Sequence, residues 1–169
     1  MAALLIDIFR LCEERGSASG DFDASELPRL AEHDGKFTRG RIHWEAEGNE
    51  GRRGLPGAIL RISGTLEGTC CRCGAPLQAD IRLETPFLFA KSEREADLIP
   101  ITDDEEEEIV VGSTRFDVAD WVEEEVLLKL PLYPSHERCD APRVAGAGED
   151  DAQEERINPF AVLSSLKKH

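Results

Sequence analysis

Hydrophobic positions along this chain follow a helical spacing at first and a spacing of two residues later. Residues 4–14 place their apolar side chains on one helical face, which predicts an amphipathic helix. Residues 21–34 predict a second short helix, capped by Asp23 or Ser25 and interrupted near Pro28. Helices are therefore expected ahead of the region in which the period changes.

From Lys36 onward apolar and polar residues alternate, which is the pattern of a half-buried β-strand. Strands are predicted at residues 36–46, 58–63 and 77–89, with a short further strand at 109–111. A turn rich in glycine and arginine separates the first two strands. This arrangement is typical of an antiparallel sheet.

Helical spacing returns at residues 117–130, where Asp117 is the predicted N-cap and Pro131 ends the helix. Three consecutive glutamates at 123–125 are expected on the solvated face. The predicted apolar face of this helix consists of Val118, Trp121, Val122, Val126 and Leu130.

These elements predict the α+β class: an antiparallel β-sheet within residues 36–111, packed against two or three helices. The helices near residues 4–15 and 117–130 would cover the sheet. A single domain is expected over residues 1–139. Residues 140–156 are rich in glycine, alanine and acids, which predicts a flexible, disordered linker. Residues 157–169 form an apolar motif with a basic finish.

Charge adds an asymmetry to this outline. The net charge of −15 argues against a general binder of duplex nucleic acid, so no DNA partner is expected. Between Lys36 and Arg94, however, the sequence has ten basic and seven acidic residues, whereas the rest of the chain has ten basic and twenty-eight acidic residues. A neutral-to-basic central module between acidic ends is therefore predicted.

The chain lacks the stretch of about 20 apolar residues that a membrane-spanning helix needs. Its start carries Asp7 within the apolar run and has no basic leader or small-residue cleavage site, so no export signal is predicted. We therefore expect a cytoplasmic protein that does not contact membranes. Its five cysteines are expected to be reduced thiols.

Four residues make a candidate metal site. Cys70 and Cys73 lie three residues apart on a predicted turn, and His136 and Cys139 have the same spacing far along the chain. Three thiols and one imidazole form a complete tetrahedral zinc set, which makes zinc a candidate cofactor. The alternatives are reduced turn thiols with a surface histidine, or a redox pair. The redox pair is disfavoured because Pro76 and a strand, instead of a helix, follow the cysteines.

Catalytic motifs are absent from the sequence. There is no phosphate-binding loop, nucleophile elbow or glycine-rich dinucleotide motif, and the four histidines are scattered. We therefore expect that the protein is not an enzyme.

An RNA-binding surface is predicted on the basic central module. Arg39 and Arg41 lie on one predicted strand, and Arg72 lies between the two thiols of the turn. Arginines and neighbouring aromatic rings can hold single-stranded RNA through its phosphates and bases. The alternative is that these arginines pair with the acids of the protein itself.

Three motifs, in fixed order within residues 65–169, resemble the bacterial large ribosomal RNA subunit accumulation proteins (YceD-like). They are the Cys70-Cys71-Arg72-Cys73 turn after a strand, the run from Asp117 to Cys139, and the run from Asn158 to Lys167. The resemblance implies a role in 23S ribosomal RNA accumulation and large-subunit biogenesis. It implies no catalytic residues.

Two hypotheses follow for the way in which such a role is performed. In the first, the basic module binds precursor ribosomal RNA or a ribosomal protein. In the second, the protein is an adaptor whose acidic helices and 157–169 motif dock on ribosomal proteins. Apolar residues of that motif recur at helical spacing, which favours folding on a partner. Its predicted docking residues are Asn158, Pro159, Phe160 and Leu163.

Overall fold

The computed structural model describes residues 4–100 and 107–139. Its strands are β1 (Leu5–Ile6), β2 (Ser17–Asp23), β3 (Arg39–Asn49), β4 (Gly57–Thr69), β5 (Pro76–Ala90), β6 (Glu108–Val111) and β7 (Phe116–Asp117). Its helices are α1 (Ile8–Glu13), α2 (Pro28–Glu32), α3 (Glu93–Asp97) and α4 (Val118–Lys129), and a 3-10 turn occupies Ala24–Glu26. The predicted linker 140–156 and the 157–169 motif lie outside the described residues.

Five strands form the main sheet in the order β2-β3-β4-β5-β6, and β1 pairs with β7 in a small second sheet. Neighbours in the main sheet are antiparallel except for β5 and β6, which run parallel. The fold is therefore α+β, as the alternating pattern predicts. The parallel pair arises because the chain crosses over through α3 before it re-enters the sheet.

One hydrophobic core lies between the sheet and the helices. Trp44, Leu60 and Phe87 point inward from β3, β4 and β5 and are at most 2 % exposed. Trp121 of α4 packs edge-to-face on Phe87 with ring centroids 5.0 Å apart. Such aromatic pairs add about 0.5–1.5 kcal/mol beyond the area that they bury. Helix α4 is thereby seated on β5, and this fixes the direction in which the chain leaves the helix.

The first third of the chain differs in part from the predicted helices. Residues 17–23 form β2, which pairs with β3 from Ser17 opposite Glu47 to Asp23 opposite Arg41. Within the second predicted helix, residues 21–34, helical structure begins only after this strand, with the 3-10 turn that Asp23 caps. Pairing along a full strand of β3 outweighs the weak β-propensity of the Ser, Gly and Asp residues in β2. No helix within the described ranges is long and apolar enough to cross a bilayer.

Candidate metal centre

The knuckle turn, residues 70–75, joins β4 to β5. Gly74 donates its backbone N–H to the carbonyl of Cys70, and Cys70 donates to the carbonyl of Ala75, both at 2.9 Å. Gly74 has a φ of 72°, a left-handed conformation that glycine adopts without steric cost. The turn therefore returns the chain into β5 with Cys70 buried and Cys73 half-buried.

The second half of the site comes from the segment that follows α4, residues 131–139. Cys71 donates its backbone N–H to the carbonyl of Pro134 at 2.8 Å, which ties this segment to the knuckle turn. Pro134 is buried and packs on Gly35, where a Cβ atom would lie only 2.5 Å from the Pro134 Cγ. Three separate parts of the chain thus meet at one end of the sheet.

This meeting brings the four predicted ligands together. Cys70 Sγ lies 3.5 Å from Cys139 Sγ, and His136 Nδ1 lies 3.5 Å from Cys73 Sγ and 3.7 Å from Cys139 Sγ. All four ligand atoms lie within 4.8 Å of one another. A tetrahedral zinc ion with Zn–S of about 2.3 Å and Zn–N of about 2.0 Å requires edges of roughly 3.5–3.8 Å. Three of the six donor separations therefore lie in the range that zinc requires, and the cluster as a whole is compatible with a zinc site.

The second nitrogen of His136 supports the same assignment. His136 Nε2 lies 3.0 Å from the backbone carbonyl oxygen of Pro76, which can only accept a hydrogen bond. The proton of the neutral ring is therefore held on Nε2, and the lone pair of Nδ1 faces the thiols. Metal-binding histidines commonly have their other ring nitrogen fixed in this way.

The thiols differ in acidity. Burial by itself raises the pKa of the Cys70 thiol, but backbone hydrogen bonds from Cys73, His136 and Arg72 outweigh it and lower the pKa to about 6. Burial, together with the neighbouring sulfurs of Cys70 and Cys73, raises the pKa of Cys139 to about 11. Zinc binding would thus release protons here, as it does wherever thiols become ligands.

The predicted RNA-binding arginines have different surroundings. Arg41 lies on the exposed face of the sheet and pairs with Asp23 at 3.3 Å. Arg61 on the same face bridges Glu47 at 3.0 Å and Glu84 at 2.8 Å. The alternative interpretation, that these basic residues pair with the protein's own acids, therefore describes this part of the sheet.

Arg39 and Arg72 differ from Arg41 and Arg61 in their ion pairing. Both are exposed, and neither forms an ion pair with any described residue. Arg39 begins β3 opposite Glu67 near the end of β4, and Arg72 is at the tip of the knuckle turn. We call this part of the molecule the knuckle end: residues 33–39, the knuckle turn and residues 131–139. It also exposes Lys36, Arg138 and Tyr133.

Two buried glutamates were missed by the helical pattern, which placed residues 123–125 on the solvated face. Glu123 and Glu125 are only 3 % and 6 % exposed. Glu123 accepts hydrogen bonds from the backbone N–H of Arg29 at 2.6 Å and from its guanidinium Nε at 3.0 Å. Glu125 accepts a hydrogen bond from the Thr85 hydroxyl at 2.8 Å. Both carboxylates hold α4 to the rest of the fold.

The buried position of Glu125 gives a pH-dependent prediction. Burial raises the pKa of Glu125, and the carboxylates of Glu108 and Glu124 add to the increase. A raised pKa favours folding below the unfolded pKa of about 4.3, and this contribution is lost as the pH rises through the folded value. Glu125→Gln is therefore expected to increase the free energy of unfolding at pH 7 but not near pH 4, measured by urea unfolding. Glu45→Gln, a change at an exposed carboxylate, is the control and should show no such difference.

Comparison with known proteins agrees with the three motifs. No solved structure matches the chain. The family model described as large ribosomal RNA subunit accumulation protein YceD matches residues 59–167, more than half of the chain, and this region includes all four candidate ligands. The chain therefore belongs to the YceD family of large ribosomal RNA subunit accumulation proteins.

Proposed function

We propose that this protein is a cytoplasmic, non-catalytic accessory factor in the accumulation of 23S ribosomal RNA, and that it binds precursor RNA through its knuckle end. The family name supports the role in large-subunit RNA accumulation. The observation that carries the mechanism is the difference between the two sets of arginines. Arg41 and Arg61 are neutralised by acids, whereas Arg39 and Arg72 are exposed without an ion pair among the described residues.

Zinc has a structural part in this proposal. Cys70, Cys73, His136 and Cys139 would hold the ion with four protein ligands, and such closed sites stabilise a fold and leave no position for a substrate. Arg72 lies between two of these ligands in the sequence, so a fixed knuckle turn also fixes the position of its guanidinium. Exposed Tyr133 lies within the same end of the molecule and offers a ring on which a base can stack.

The proposal predicts that RNA affinity depends on the knuckle end. Arg39→Glu combined with Arg72→Glu is expected to weaken binding of a 23S precursor transcript by more than about tenfold, because phosphate contacts are lost and repulsion replaces them. The slope of log K against log salt should also fall by about 1–2. Filter binding over a range of salt concentrations measures both quantities.

A matched control lies at the other end of the sheet. Lys91→Glu combined with Arg94→Glu makes the same change in charge, at exposed positions just beyond the far end of β5. This control should bind RNA much more tightly than the knuckle-end variant. Equal losses in the two variants would show a general charge effect and contradict the proposed site. Crosslinking in cells, with sequencing of bound RNA, should recover 23S precursor with the wild-type protein.

Arg41 stays a predicted RNA contact, although it would have to exchange Asp23 for a phosphate. The adaptor hypothesis receives less support from the acidic helix α4. Arg29 already bridges Asp120, Glu123 and Glu124 at 3.0–3.1 Å, so these carboxylates are partly neutralised within the domain. Docking on a ribosomal protein would then depend on the 157–169 motif.

A further inference from the structure

An open groove of about 500 Å³ lies between α4 and β6, away from the knuckle turn. Phe87, Val110 and Trp121 contribute apolar side chains to its walls. Among the described strands β6 pairs only with β5, so it is an edge strand of the main sheet as described. Leu128, at one end of the groove, is 69 % exposed. The groove therefore presents apolar surface that the described residues leave uncovered.

The rim of this groove is acidic. Glu108, Asp117, Asp120 and Glu124 line it, together with the buried Glu125, and Arg115 is the one basic residue among the described lining residues. Arg29 offsets part of this charge at Asp120 and Glu124. Glu108, by contrast, is exposed and has no ion pair among the described residues. An apolar groove with this rim favours an occupant that is both apolar and basic.

We propose that residues 157–169 of the same chain dock in this groove. Their apolar residues Phe160, Val162, Leu163 and Leu166 form pairs three or four residues apart, the spacing with which amphipathic helices fill apolar grooves. The segment contains no acid and ends with Lys167, Lys168 and a histidine, in a chain whose net charge is −15. Both its apolar face and its charge are complementary to the groove.

The chain between the described domain and this segment is long enough for docking. Residues 140–156 number 17, which as a flexible coil gives a root-mean-square span of roughly 21–25 Å and, fully extended, about 55–60 Å. A domain of this size has a radius of gyration of about 14 Å. The segment can therefore reach any face of the domain. A tether of this length gives an effective concentration on the order of millimolar, so weak contacts suffice.

Backbone dynamics of the full chain test this proposal. In the wild-type protein the amide order parameters of residues 160–166 should approach those of the folded domain, about 0.85, instead of remaining below about 0.6. Glu108→Lys should release the segment and lower these values. Glu45→Lys makes the same change in charge at an exposed position on the sheet face, outside the groove, and should leave them unchanged.

An exchange of charges between the segment and Glu108 distinguishes loss of this specific contact from a general loss of structure. Lys167→Glu with Lys168→Glu should release the segment in the wild-type background and restore its order when combined with Glu108→Lys. High mobility of residues 160–166 in the wild-type protein would overturn the proposal. Order that grows with protein concentration would overturn it too, because it would assign docking to a second copy. Order that requires an added ribosomal protein would instead support the adaptor hypothesis.

Discussion

Replacement of Cys73 by serine is expected to remove bound zinc and to lower the melting temperature by more than about 10 °C. Structural zinc contributes about 10–16 kcal/mol of apparent binding free energy in small peptides at neutral pH. In this chain the ion would join the knuckle turn to the segment after α4, and only part of that free energy is needed to produce such a shift. Metal analysis of protein purified without chelator, with thermal unfolding of the same samples, measures both effects.

Cys71 provides the matched control. Its thiol is exposed, and it lies between two ligands in the sequence but outside the four-residue cluster. Cys71→Ser should retain about one equivalent of zinc and the wild-type melting temperature. A metal content of less than about a tenth of an equivalent in the wild-type protein would contradict the proposed zinc site. Equal damage from the two serine variants would show that the turn, and not coordination, is sensitive to change.

Arg29→Met is expected to lower the free energy of unfolding by about 3–5 kcal/mol, the cost of leaving a buried carboxylate without its partner. The side chain of Glu123 is only 4 % exposed and has Arg29 as its basic partner. It also accepts hydrogen bonds from the backbone N–H groups of Arg29 and Leu30, at the start of α2. A carboxylate on α4 thus satisfies backbone donors of α2, which ties the two helices together.

Two variants identify the cause. Arg29→Met combined with Glu123→Gln should recover part of the loss, because glutamine is neutral yet its oxygen still accepts the two backbone N–H groups. Glu124→Ala removes a carboxylate that is 58 % exposed and contacts the same arginine, so it should cost less than about 1 kcal/mol. Urea unfolding at pH 7 compares them. The buried-pair explanation fails if Arg29→Met is no more damaging than Glu124→Ala.

Alternation of apolar residues was sufficient to predict β3, β4 and β5, because every second side chain in these strands enters one core. The four candidate ligands were also identifiable from sequence, since each half of the site has its own short spacing. The proximity of the two halves of the site in the fold could not be predicted from these spacings. It depends on α4 packing on β5, which directs residues 131–139 back to the knuckle turn.

Other features depend on distant partners and leave little local signal. β2 has few apolar residues and becomes a strand by pairing with β3. Glu123 and Glu125 are chemically the same as the exposed Glu124 between them. Distant partners distinguish them, because Glu123 accepts backbone N–H groups at the start of α2 and Glu125 accepts the Thr85 hydroxyl. The parallel position of β6 likewise follows from the crossover through α3. In each case tertiary contacts outweigh the local pattern.

The sequence distance between the two halves of the metal centre has a consequence for the order of folding. Cys73 and His136 are 63 residues apart, and β5, β6 and α4 lie between them. In an unfolded chain, closing such a loop costs on the order of 4 kcal/mol of conformational entropy. An ion held by one pair of ligands therefore gains little binding free energy from the other pair. The second pair arrives only once α4 has docked. Coordination of zinc by all four ligands would therefore be completed last in folding. Tight retention of the ion would then mark molecules that have completed folding.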